Sequence, residues 1–211
     1  MAPRPHQLLG AVVGVGLRVG MAAMVRQVLR AGPDDLRFVA KGIGPRAAVL
    51  VPAVSVAVPV VWLVSRRGPY PVWVDDLLLS IVAFDLAGNV FDLYDRYLHF
   101  DLLPHAHGTG ALTVIIAGAT GLPTARAAAF ATAGHTLLEV QEIASDVLFG
   151  YRNVRGWWDT AGDLAAGAVG TVVYGLAYEH LIRRAGRGPS PLVSLDERVS
   201  LRRASRVLLG V

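Results

Sequence analysis

The chain has no cysteine and a single lysine, Lys41, among its 211 residues. Without cysteine it can form neither a disulfide nor a thiolate metal site, and it has no thiol nucleophile. Its positive charge is carried almost entirely by 19 arginines. Charge of either sign is scarce: 17% of residues are Asp, Glu, Lys or Arg, against about 25% in an ordinary soluble domain. The net charge of +4 has no soluble basic module to carry it, which excludes a nucleic-acid partner. Basic ends of this kind fit cytoplasmic loops and anionic headgroups instead. No internal repeat is present.

Apolar sequence is abundant. Hydrophobic residues make up 54% of the chain and the mean hydropathy is +0.48. The excess comes in blocks of bilayer-spanning length. The expected fold is therefore all-α, a polytopic transmembrane helix bundle of about six spans, or five if residues 8–25 do not cross. The expected location is the cell membrane, multi-pass, with membrane lipid as the surrounding partner. The spans are expected at Leu8 to Val25 (interrupted by Arg18), Ala47 to Val64, Val72 to Val90, Asp92 to Gly121, Ala125 to Leu148 and Trp158 to Ile182. Pro52 and Pro59 should kink the second, and Leu103-Pro104-His105 should bend the fourth. Leu122-Pro123-Thr124 reads as a stop and restart, with Thr124 as N-cap. Residues 1–185 form an integral membrane domain, and 186–211 a basic cytoplasmic or interfacial tail. Basic residues near the spans divide evenly between the two sides, so orientation is not set by charge.

The acids are concentrated in the apolar part. Between Asp75 and Asp163 eleven acids face four arginines. Three runs stand out: Asp92-x-x-Asp95-x-x-x-His99, Glu139-x-x-Glu142-x-x-x-Asp146 and Asp159-x-x-x-Asp163. A helical residue turns through about 100°, so each spacing keeps its members on one helix face. The first run opens the fourth span, the second closes the fifth and the third opens the sixth. Successive spans reverse direction, so all three runs belong on one side of the membrane. His135, four residues before Glu139, extends the second stripe inward. Of His105 and His107, which diverge by about 200° on a helix, at most one should face the same place. Asp75, Asp76 and Asp85 read mainly as structural, and Asp101 as interfacial.

Each such group would cost about 2.5–3.5 kcal/mol near mid-membrane. Arginine partners, shared protons, water or a metal ion must offset that cost. Inward carboxylates and imidazoles from facing helices are the ligands that metal sites in bundles use. The metal ligands expected on this basis are Asp92, Asp95, His99, Glu139, Glu142 and Asp163, holding a divalent metal ion of open identity. Asp95, His99, Glu139, Glu142, Asp159 and Asp163 are the candidate catalytic residues, and Arg96, Arg152 and Arg155 the candidate substrate-binding residues.

The stretch Tyr94-Asp95-Arg96-x-x-His99-Phe100, followed by Glu139-x-x-Glu142 and Trp158-Asp159-Thr160-x-x-Asp163, resembles the YjdF-type inner-membrane proteins. More distantly it is similar to the VanZ-like family, with Asp163 where those proteins often carry Asn. The resemblance covers about residues 75–182 and implies a multi-helix membrane protein. VanZ-like proteins are associated with tolerance to glycopeptide antibiotics, which implies work at the cell envelope. Three function classes follow: a metal-dependent enzyme on a lipid or lipid-linked envelope precursor, a cation- or proton-coupled transporter, and a non-catalytic envelope-associated protein.

Overall fold

Helix is the only regular structure among the described residues, 5–65 and 69–184 of the computed structural model. The elements are α1 (Pro5–Arg30), α2 (Leu36–Val39), α3 (Ile43–Ser65), α4 (Val72–Val90), α5 (Leu93–Arg96), α6 (Leu102–Thr120), α7 (Thr124–Phe149) and α8 (Trp157–Arg184). The basic tail expected at 186–211 lies outside the described residues. Two helices, α1 over Gln7–Arg30 and α3, are long and apolar enough to cross a membrane. The other long helices carry acids, histidines, threonines or many glycines that lower their hydropathy.

The six long helices form two packed groups. In the first, α1 lies against α4 and α3, and α3 against α4. Its core is conventional, with Met21, Val51, Leu79 and Leu86 buried together. In the second, α6 is pressed closely against α8, and α7 packs on both. Contact between α4 and α6 joins the groups. Small residues set the spacing in the second group. A Cβ on Gly170 would collide with the backbone carbonyl of Ala106, and one on Gly110 would come within 2.7 Å of the Gly170 carbonyl. Small residues at a helix–helix contact allow backbones to approach this closely.

Arg18, the one charge expected to weaken the first span, is accounted for by its neighbours. Its guanidinium meets the buried Asp75 carboxylate at 2.8 Å, and Tyr70 donates a hydrogen bond to the same carboxylate at 2.7 Å. Proline has no N–H to donate, so Pro59 leaves the Ser55 carbonyl without its helical partner. Arg18 Nε supplies the missing bond at 3.0 Å. Asp75 is thus structural.

The fourth helix departs from expectation. It does not run from Asp92 but begins at Leu102, and residues 91–101 form a loop holding the single turn α5. Asp92 takes a left-handed backbone conformation, φ 59°, which breaks the helix after α4. Pro104 then falls in the first turn of α6, where its missing N–H costs no intrahelical bond. It marks a start and not a bend. Similarly Pro123, and not Thr124, occupies the N-cap position of α7. Gly121 and Gly150 end α6 and α7 in the left-handed conformation, as helix C-termini commonly do.

Candidate functional site

Because successive helices reverse, the α4–α6 loop, the end of α7 and the start of α8 lie at the same end of the molecule, together with α2 and the start of α3. A cavity of about 990 Å³ opens there between α3, α4, α6 and α7. Residues 36–41 and 150–155 border it. The second border is tied down locally. Asp146 accepts hydrogen bonds from the backbone N–H groups of Asn153 and Val154, both at 2.9 Å, and the Arg152 N–H donates to the Ala40 carbonyl at 2.7 Å.

His105 is the hub of the polar cluster in the cavity wall. Its Nδ1 lies 2.7 Å from His135 Nε2 and 3.4 Å from Glu139 Oε1. His135 Nε2 is itself 3.3 Å from the same Glu139 oxygen. On the other side of the ring, Nε2 of His105 faces Asp101 at 3.3 Å and Asp163 at 3.9 Å. Two ligand groups result, His105 with His135 and Glu139, and Asp101 with His105 and Asp163. Within each, the donor atoms all lie within 4.8 Å of one another. Gly167 makes room for this arrangement, since a Cβ there would strike the His135 ring.

His135, Glu139 and Asp163 are buried, and the cluster is under-satisfied. Glu139 is 2% exposed and Asp163 4%. His135 Nδ1, Glu139 Oε1, Asp163 Oδ1 and the nearby Thr160 hydroxyl have no hydrogen-bond partner. A buried polar atom without a partner costs about 1–3 kcal/mol, more for a charged group. Asp101 has a cation of its own, Arg155 at 2.9 Å. Burial alone would push the Asp101 carboxyl up, but His105 and Arg155 outweigh it and hold the group below its ordinary range. Of the two buried acids, Glu139 faces the imidazoles of His105 and His135, and Asp163 faces His105.

The donor set suits a first-row divalent ion. Two imidazoles and one carboxylate are a zinc-type ligand set, and ligands about 2.0–2.2 Å from a tetrahedral ion stand roughly 3.3 Å apart. The two distances to Glu139 have that value. The 2.7 Å between the histidines is a hydrogen-bond length, so an ion there would part the rings by a few tenths of an ångström.

Other sequence-selected residues lie around this cluster. Glu142 lines the cavity and faces Arg46 at 3.8 Å. Asp95 is exposed and pairs with Lys41 at 2.9 Å. Asp92 pairs with Arg96 at 3.3 Å, four residues on, and His99 is exposed in the same loop. Asp159 accepts a hydrogen bond from the Arg155 backbone N–H at 2.9 Å and lies 3.4 Å from its guanidinium. Arg152 and Arg155 line the cavity. Asp92, Asp95 and His99 therefore stand apart from the buried histidines, because the loop carries them away from the helix face they were expected to share. His107 points elsewhere, to Tyr174 at 2.6 Å and Ser80 at 2.9 Å.

Sequence reasoning passed over Asp101 and Arg46, and gave His105 no priority over His107. The signal for the first was present: Asp101 and His105 are one helical turn apart at the Asp-Leu-Leu-Pro start of α6. Arg46 had none, since nothing local connects the start of α3 with the end of α7. Compared with family models, curated proteins and solved structures, the chain has no match.

Proposed function

We propose that this chain is a multi-pass protein of the cell membrane, of the YjdF type, and that it is a metal-dependent enzyme acting on a lipid or lipid-linked envelope precursor. In this reading all six long helices cross the bilayer, α4, α7 and α8 with acids and α6 with histidines turned inward. The shortest, α4 and α6, have 19 residues each, about 28 Å of helix. Support comes from the outward faces: Val12 and Val19 on α1, Val64 on α3, Val147 on α7 and Val172 on α8 are all more than half exposed. Apolar surface on this scale in a single chain marks contact with lipid or another apolar partner.

The observation that carries the enzymatic reading is the His105–His135–Glu139 group, with partnerless polar atoms on the buried His135 and Glu139, its two histidines lining a large cavity. His105, His135 and Glu139 would hold the ion. It would polarise a phosphoryl or carbonyl oxygen and lower the pKa of bound water. Asp163, 3.9 Å from His105, and Glu142, in the cavity lining, are the candidate proton carriers, and Arg155 pairs with the Asp101 that faces His105.

Elemental analysis and melting curves with and without a chelator test this. Purified protein should carry about one equivalent of a first-row divalent metal. Chelation should lower the melting temperature by about 5–10 °C, as expected for losing a ligand bound at a hundred times its dissociation constant. His135→Ala should carry no metal and be insensitive to chelator. Protein free of metal with an unchanged curve would end the metal-enzyme reading.

A further inference from the structure

The side of the cavity between α3 and α7 identifies the class of molecule it takes. These two helices are not packed against one another. What links them is Arg46 on α3, 3.8 Å from Glu142 on α7. Arg46 is also 3.8 Å from Asp85 on α4. Both distances are too long for hydrogen bonds, so the guanidinium is held by charge while its N–H fork stays available to a ligand. Around it the walls are aliphatic: Leu50, Leu78, Val82 and Leu138 line the same cavity. Leu50 and Leu138 are in addition 45% and 38% exposed, so the apolar lining runs out to the lipid-facing surface between α3 and α7. At the cavity's end Arg152 adds positive charge, while Lys41 is paired there with Asp95.

We propose that the cavity binds an anionic membrane lipid whose headgroup is a phosphate monoester, entering sideways between α3 and α7. The phosphate replaces the two long carboxylate contacts of Arg46 with a bidentate pair, and an acyl chain leaves along Leu50 and Leu138. This rests on the enzymatic reading only in naming its substrate class; binding itself needs no metal. A cation at the polar end, an aliphatic wall and a lateral opening match an amphiphile better than a soluble anion.

The test uses the full chain in phosphatidylcholine nanodiscs, with fluorescent phosphatidic acid as the probe. Wild type should bind it at least tenfold more tightly than the matching phosphatidylcholine probe. Arg46→Gln should weaken binding tenfold or more, about the value of a charge-assisted hydrogen bond. Leu138→Trp, which removes no charge and fills the opening, should weaken it as well. Melting curves of both variants establish that they are folded. Glycerol phosphate at matched concentration should not displace the probe. Equal binding of the two lipids, wild-type affinity in both folded variants, or displacement by glycerol phosphate would each overturn the proposal. Metal content and chelator response are measured on the same samples. Loss of the metal reading would leave the lipid result standing, and the reverse.

Discussion

Gly167 shows how a single residue controls the site. It lies on α8 directly beneath the His135 ring, with the Thr109 hydroxyl 2.9 Å from where a Cβ would be. Gly167→Ala should therefore push the ring away from His105 and Glu139. The expected cost is about 1–3 kcal/mol of stability, as for overpacking elsewhere, with a tenfold or greater loss of metal affinity. Gly134→Ala is the control, since its Cβ would meet only Leu112 at 3.9 Å. That variant should melt at or above the wild-type temperature, because alanine is the better helix former by about 1 kcal/mol. Metal titration and melting curves on the pair separate crowding of His135 from a general glycine effect.

Among the elements, the loop between α7 and α8 depends most on one side chain. Asp146 was read as the outer member of the Glu139–Glu142 stripe, but its carboxylate is occupied by the loop backbone. It accepts from the Asn153 and Val154 N–H groups and from the Asn153 side-chain amide, at 2.8–3.0 Å. Asp146→Ala should free residues 150–156, costing about 1.5–3 kcal/mol for hydrogen bonds to a charged group. Faster hydrogen exchange confined to that loop, with metal content unchanged, is the expected result. The same comparison shows why spacing alone identified this stripe only in part. A period of three and four residues places Glu139, Glu142 and Asp146 on one face, but it does not reveal that the chain turns back beside Asp146 and uses it.

At the scale of the whole molecule, the alternation of helix directions is the feature that assembles the site. Residues 91–101 and 150–156 lie at one end with residues 31–42, and residues 121–123 at the other. The absence of cysteine makes this directly measurable, because a single introduced cysteine is the only thiol. Gly121→Cys and Arg152→Cys should react with a membrane-impermeant maleimide from opposite sides of sealed vesicles. Labelling of both from the same side would refute the proposed six-crossing arrangement. The boundaries of α3, α4, α7 and α8 were readable to within a few residues, since hydropathy and turn residues are local properties. The α4–α6 segment was misread because Asp92, Asp95 and His99 have helical spacing in a stretch that a left-handed Asp92 turns into loop.

The order of residues by itself determined that the described residues are helical, where most helices stop, and that the three acidic runs lie at one end of the molecule. These follow from backbone hydrogen bonding within apolar segments and from the reversal of direction at each turn. Which groups meet was decided only by tertiary packing. The approach of α8 to α6 at Gly170, and the space left at Gly167, set how far each helix is rotated about its own axis. That rotation turns His105 toward His135, Glu139 and Asp163 and directs His107 away, and no periodicity along one helix contains it.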